Sequence, residues 1–454
     1  MHIRNARMAG ADTMASPASG RRGQRAILPF IGAALVLALA SAAWVESDLY
    51  RYAAALLALA GLVEWARDGF RPAPSWMAVL CMAFALYVGL RMAYTGYAHP
   101  ENTGGSAEGI YFFPALYPAI GMVLFHLRRQ MAAIAMLFVA VSLLLLVASV
   151  DPLVAVSGER AAFLYHNNPI HAATGGGFIA LAAICFGLYA ATGRELSRPQ
   201  RLLGALAGAA TAVLALIGVF GAQSKGVWIA VATALPVMGA LVLYYEERFA
   251  ARLVLSAALL SVFAATLVFR ETVIDVIGPS VTGLFAIADA LLSGNGLATP
   301  IIAGHVPDNF SDRLMLWVNA AEIWSANIAF GTGIYWENLW EETRYADVGY
   351  QLIHNGFLEI GMRYGVFGLL FFALVTVWSL VQAHKALGAG LIDRTVFIFY
   401  VSATLFFLIA ILTNSSNRLA IGESFMLMAG GFGFCCYRMC DPIWSKPLPP
   451  RGRH

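Results

Sequence analysis

Apolar runs of bilayer-crossing length recur from one end of this chain to the other, and that recurrence leaves few folds open. A helix needs about 20 apolar residues to cross a hydrocarbon core, and only helices or closed barrels satisfy their backbone groups there. Such runs fall near 27–45, 50–65, 75–95, 110–126, 131–150, 171–192, 202–222, 226–245, 252–269, 357–383, 395–413 and 419–437. They predict an all-α polytopic membrane protein with about 12 transmembrane helices. Only 12% of the residues are charged, about half the share of a soluble domain and too few to clothe a water-facing surface. Cys81, Cys185, Cys435, Cys436 and Cys440 lie in or at the end of apolar runs. They suggest neither a disulfide framework nor zinc spacing and read as small apolar fillers.

Basic residues orient the bundle, because short cytoplasmic loops collect Lys and Arg. Arg4, Arg7, Arg21, Arg22 and Arg25 precede the first run. Arg67, Arg71, Arg128, Arg129, Arg194, Arg198, Arg201, Arg248, Arg252, Lys385 and Arg394 occupy every second loop, and Arg438, Lys446, Arg451 and Arg453 follow the last run. These are 20 of the 29 basic residues, so both termini are expected in the cytoplasm. A basic start before an apolar run also suits a signal peptide, but further apolar runs follow at once instead of soluble sequence. The expected organisation is a disordered tail over 1–25, a transmembrane domain over 26–438 and a short tail over 439–454.

The other nine basic residues sit on the far side or at membrane depth: Arg51, Arg91, Arg160, Lys225, Arg270, Arg313, Arg344, Arg363 and Arg418. Arg51, Arg91 and Arg418 are expected to snorkel at helix ends. The others ask for a different reason, and an anionic ligand supplies one. The longest loop, 270–356, lies on this side. Its first part carries Asp275, Gly278, Pro279 and Asp289 and predicts interfacial or re-entrant helix over 272–293, not another span. SDRLMLWVNAAEIWSA, with Leu314, Trp317, Val318 and Ala321 at helical spacing, predicts an amphipathic helix on the membrane surface.

Several function classes drop out. There is no Walker loop, so no nucleotide-driven pump is expected. GTGIYW at 331–336 lacks the strand–turn–helix setting of a dinucleotide site and reads as a turn. No acidic or histidine cluster on the outer side has metal spacing, and mid-span acidic residues of the transporter kind are scarce. Neither metal, cofactor nor nucleic-acid partner is expected.

Four outer-side elements remain. GERAAFLYHNNPIHAA holds Arg160 ahead of Asn167, Asn168 and Pro169. GAQSKGVW places Lys225 in a tight turn between two spans. Arg313 heads the surface helix, and HNGFLEIGMRYGVFG puts His354 and Asn355 where the long loop re-enters the membrane. Taken singly, a cation at a loop–helix junction is an interfacial anchor as readily as a ligand contact, and a lone His as readily caps a helix as acts as a base. Together, cations from three loops and an imidazole can converge on a phosphate-bearing lipid headgroup. A pyrophosphate suits Arg as a bidentate donor, Lys as a point charge and helix N-termini for the remaining charge.

SKGVW, then DRLMLWVNAAEIW and FGTG, then HNGFLEIGMRYGVFG resemble the shared domain of the O-antigen ligases, O-antigen polymerases and protein O-oligosaccharyltransferases. The resemblance covers about 220–370 closely and Arg160–Pro169 more weakly, with the His-Asn-x-x-Leu element its most specific part. One departure is Lys225, where that family usually has Arg; Lys keeps the charge and gives up the planar fork. The resemblance implies a glycosyltransferase of the GT-C type in the bacterial inner membrane, with 270–356 as a long periplasmic loop. It implies an inverting, metal-independent transfer of glycan from undecaprenyl pyrophosphate. In the ligase branch the acceptor is the lipid A core, in lipopolysaccharide biosynthesis. On this reading Arg160, Lys225 and Arg313 hold the donor pyrophosphate, Arg313 assisting catalysis, and His354 is the base. Asn355, Tyr350, Trp336, Arg270, Arg344 and Arg363 are expected contacts to sugar or acceptor. With fewer than twenty residues after the last run, no extra domain for a protein acceptor is expected, and the surplus outward cations favour the ligase. A transporter of lipid-linked sugar is the alternative of another class.

Overall fold

A computed structural model describes residues 19–441 other than 68, 70–73, 101–105, 158, 194, 246–269, 297, 305, 307 and 349–350. The expected span 252–269, residue Tyr350, residues 1–18 of the N-terminal tail and residues 442–454 of the C-terminal one lie outside the described residues. The elements run α1 (Ser19–Ala40), α2 (Leu49–Arg67), α3 (Trp76–Ala98), α4 (Tyr117–Leu127, entered through a 3-10 stretch from Ser106), α5 (Met131–Ser149) and α6 (Pro152–Val156). There follow α7 (Pro169–Thr192), α8 (Arg198–Gly221), α9 (Lys225–Tyr245), α10 (Arg270–Leu292), α11 (Thr299–Ile302), α12 (Asp308–Ala326), α13 (Trp336–Trp340), α14 (Gly356–Gly388), α15 (Arg394–Thr413) and α16 (Ala420–Cys440).

Ten helices among the described residues are long and apolar enough to cross a bilayer. Each matches one of the expected spans to within a few residues. The run near 27–45 contributes a shorter apolar helix, Phe30–Ala43. The protein is a multi-pass membrane protein. Its spans pack about two large cores. One joins Leu57 of α2, Phe84 of α3, Ile120 of α4, Phe371 of α14 and Leu427 of α16. The other joins Ile179 of α7, Ala215 of α8, Met238 of α9 and Phe406 of α15. Lipid tails are as apolar as these side chains, so close packing rather than water exclusion holds such helices together, and small residues allow it. At Gly226, the start of α9 lies so near Thr413 of α15 that a Cβ would overlap its side chain.

Several of the loops predicted to share a side touch one another. Tyr165 N donates to Trp44 O at 2.9 Å and Ala161 N to Gly221 O at 3.1 Å. Arg313 donates to Thr413 O, bringing the 270–356 loop to the 413–418 turn. Of the segment over 272–293, all but the last residue forms part of one helix, α10, which is not among the ten spans. The amphipathic helix expected from SDRLMLW is α12. It is more deeply packed than a helix resting on lipid, with Leu314, Leu316, Asn319 and Ala320 almost fully buried. Its partners are Met362 of α14 and Trp336 and Trp340 of α13.

Within its 33 residues α14 breaks once, at Gly365, whose φ of 65° lies in the left-handed region that glycine tolerates. A Cβ there would strike the backbone of Ala329. The break frees N–H groups, and in a membrane these need partners inside the protein. The 328–332 turn provides them: Val366 N donates to Ile328 O at 2.9 Å and Phe367 N to Ala329 O at 3.0 Å. In return Thr332 N donates to Met362 O at 2.9 Å. The FGTG stretch is thus a turn, and its work is to mend a broken helix. Arg91 braces the same turn through the carbonyls of Phe330 and Gly331, so it is a specific contact and not a free snorkelling residue.

Candidate active site

A cavity of about 230 Å³ opens where four separate stretches meet. Arg160 lines it from the 159–168 loop, Lys225 from the start of α9 and Arg313 from α12, while Thr413 and Asn414 close it at the end of α15. Each cation is placed by local backbone. Arg160 is held against the turn before α9, its Nε donating to Ala222 O at 3.1 Å. That turn passes through Gln223 with φ of 48°, which reverses the chain sharply enough for Lys225 to open the next helix. Arg313 is aimed by its hydrogen bond to Thr413 O at 3.1 Å. No acidic side chain appears among the described residues lining the cavity. The first residues of α9 also line it, adding the positive end of a helix dipole. Three cations, a helix N-terminus and no carboxylate make a pocket for an anion with more than one negative charge.

His354 stands beside this cavity. Its Nδ1 lies 2.8 Å from Oδ1 of Asn414, which lines the cavity wall. Its φ is 54°, an unfavourable geometry for a side-chain-bearing residue that costs of order 1–3 kcal/mol and tends to persist at functional sites. Burial pushes the His354 imidazole below its usual pKa; the Asn414 hydrogen bond opposes this and the facing charge of Arg313 adds to it. The ring is therefore neutral around pH 7 and able to accept a proton. Asn355, next in sequence, caps α14: its side-chain oxygen accepts from Phe357 N at 3.0 Å and Leu358 N at 3.1 Å. This cap sets the entry angle that leaves His354 at the cavity edge.

The remaining sequence candidates do not line the cavity. Trp336 is buried in the small core with Trp340 and Ile353. Arg270 is exposed at the head of α10. Arg344 is exposed and paired with Glu322 at 3.4 Å. Arg363, expected to face outward, is instead 1% exposed and bound to the buried Glu108, with Glu359 3.4 Å away and the Trp336 ring beneath it at 5.0 Å. It serves the fold here because α14 carries it inward beside the 3-10 stretch that holds Glu108. Arg418 and Arg51 likewise meet carboxylates, Arg418 at Glu359 and Arg51 at Glu423. What the sequence reading missed is the NSSN turn, 414–417, whose four polar residues are all buried. A run of four uncharged polar residues joining two apolar helices was the available signal.

Residues 210–373 match the family model described as O-Antigen ligase. Over this stretch the chain is similar to the O-antigen ligases. The matched stretch includes Lys225, Arg313, His354 and the Gly365 break of α14, and agrees with the 220–370 stretch in which the sequence resemblance lies. Arg160 and Asn414 complete the cavity from outside the matched stretch. No curated protein matches the chain.

Proposed function

We propose that this protein is an inverting glycosyltransferase that moves a glycan from undecaprenyl pyrophosphate to the lipid A core in the periplasm. The similarity to the O-antigen ligases supports a glycosyltransferase of the ligase or polymerase type. The observation that carries the finer reading is the convergence of Arg160, Lys225 and Arg313 on one cavity with no carboxylate among its described lining residues. Such a cavity suits a pyrophosphate whose charge grows as it leaves, so its cations bind the transition state more tightly than the ground state.

The acceptor hydroxyl oxygen attacks the anomeric carbon from the face opposite the pyrophosphate. A new C–O bond forms as the bond to the pyrophosphate oxygen breaks, and the configuration inverts. His354 takes the hydroxyl proton, and the pyrophosphate departs on its lipid, its charge held by the three cations. The bond energy of the donor drives the step, so neither nucleotide nor metal is required in this scheme. Purified protein given lipid-linked glycan and lipid A core tests it. Covalent transfer to lipid A without nucleotide, undiminished by EDTA, is expected; loss of transfer on chelation and its return with Mg²⁺ would overturn the metal-free scheme.

A further inference from the structure

We propose that Asn414 is the positioning residue that fixes the tautomer of His354, so that Nδ1 carries the ring proton and Nε2 is the atom that accepts the proton of the attacking hydroxyl. This inference rests on the glycosyltransferase reading above and adds a residue and an atom to it.

The geometry is self-consistent in one arrangement only. Asn414 Oδ1 lies 2.8 Å from His354 Nδ1 and also 3.0 Å from the backbone N–H of Ser415. A backbone N–H can only donate, so the Asn414 atom it faces must be the carbonyl oxygen and not the amide nitrogen. An oxygen already accepting one hydrogen bond offers the imidazole a second lone pair and no proton. Nδ1 must then be the donor. In a neutral imidazole with hydrogen on Nδ1, the basic lone pair is on Nε2.

The surroundings hold this pair still. Asn414 is 9% exposed. The turn that carries it is closed by Arg418 N donating to Ser415 O at 3.0 Å and Leu419 N to Ser416 O at 3.2 Å. Arg313 fixes the preceding carbonyl, that of Thr413. One dipeptide, Thr413–Asn414, therefore orients both a pyrophosphate-binding cation and the base. The charged group facing the imidazole is Arg313, on α12. Arg160 and Lys225 line the same cavity, and Glu359, on α14, is engaged by Arg418. Asn414 stands behind the His354 ring at Nδ1, where a Ser-His-Asp triad has the carboxylate of Asp. A neutral amide orients the ring without raising its basicity as a carboxylate would, which suits a base that must stay unprotonated beside three cations.

The test uses Asn414→Ala and Asn414→Asp in the full-length protein, assayed for glycan transfer across pH. Asn414→Ala is expected to lose roughly 10²-fold in kcat, within the 10²–10⁴ that a positioned general base contributes, with KM for the lipid-linked donor little changed. Asn414→Asp is expected to move the acid limb of the rate to higher pH, because a carboxylate stabilises the imidazolium, and to recover turnover above that limb. A purely structural role would lower protein levels without moving the limb. Full kcat in Asn414→Ala with an unshifted limb in Asn414→Asp would overturn the proposal. Should the variants not accumulate, ¹⁵N-histidine solid-state NMR of the native protein, with His354→Gln used for assignment, reads the tautomer directly. A proton on Nδ1 and a bare Nε2 support the proposal, and the reverse sinks it. Absence of any transfer by the native enzyme would instead defeat the glycosyltransferase reading, which the tautomer measurement leaves separate.

Discussion

Arg418 reaches the buried carboxylate of Glu359 at 2.9 Å, joining the 414–418 turn to the helix that His354 and Asn355 introduce. Glu359 in turn lies 3.4 Å from Arg363, which is bound to Glu108, and Glu108 also accepts from the Tyr364 hydroxyl. Four charges of alternating sign thus tie α14, the 3-10 stretch before α4 and the turn that follows α15 into one block.

That block is expected to govern stability more than chemistry. Removing one member of a buried pair leaves a charge without compensation and costs about 3–5 kcal/mol. Glu108→Ala and Arg363→Ala are each expected to lower the thermal midpoint in detergent by many degrees. Arg344→Ala breaks only the exposed pair with Glu322, worth about 0–1 kcal/mol, and is expected to leave the midpoint in place. Equal midpoints for all three would remove the distinction.

The cavity cations make the opposite prediction. Arg160→Ala, Lys225→Ala and Arg313→Ala are each expected to cost about 2–4 kcal/mol in transition-state binding, a rate loss of about 10²–10³. Folding is expected to remain close to normal. Lys225→Arg should be mild or favourable, since it restores a planar fork. The comparison requires equal membrane levels by blotting. Undiminished activity of Arg313→Ala at equal expression would take that residue out of the site.

Different parts of this molecule were legible in the sequence for different reasons. The spans could be read because bilayer thickness imposes one length on all of them. Arg160, Lys225 and Arg313 could be read because they break the charge rule that the other loops obey. Arg363 breaks the same rule for another cause, its pairing with Glu108 across 255 positions of chain, and sequence distance hides such a pair. The break at Gly365 was hidden as well, since glycine is common in membrane helices and only the docked 328–332 turn shows what this one permits. Asn414 is uncharged in an otherwise ordinary loop, and its importance comes from what it touches.

On the proposed mechanism, His354 sets the pH dependence. A general base must be neutral to act, so turnover is expected to fall as pH drops through its pKa. Burial and Arg313 hold that pKa below the usual imidazole value, about 6.5, so the acid limb should lie below pH 6.5 with a plateau through neutrality. His354→Ala is expected to lose turnover while still binding lipid pyrophosphate. A measured donor affinity that collapses in this variant would assign the ring to binding and not to proton transfer.

Orientation is open to direct chemical reading. Asn295 and Glu341 are exposed in the 270–356 loop, while Cys81, Cys185, Cys435 and Cys436 are buried and Cys440 partly so, which keeps background labelling low. Cysteines introduced at Asn295 or Glu341 are expected to react with a membrane-impermeant thiol reagent in intact spheroplasts. Reaction only after lysis would reverse the assignment of every loop.

The choice of acceptor is the last prediction, and the cavity alone does not make it, because a ligase, a polymerase and a protein-directed enzyme use the same donor chemistry. A polymerase must seat a second lipid-linked glycan, a protein-directed enzyme a polypeptide, and a ligase the phosphate-rich lipid A core. The expectation that three further cations meet that core narrows, since Arg363 is buried and Arg344 is already paired. Arg270, exposed at the head of α10, and Arg344, on exchanging Glu322 for a phosphate, are then the cations expected on the acceptor side. Arg270→Glu and Arg344→Glu should raise KM for lipid A core and leave KM for the donor unchanged, because like charges repel an anionic acceptor. With purified protein, transfer of glycan to lipid A supports the ligase. Growth of the lipid-linked chain in its place indicates a polymerase, in which case the two variants should affect only the lipid-linked substrate. Movement of lipid-linked sugar across the bilayer with no new glycosidic bond indicates a transporter and ends the enzymatic reading.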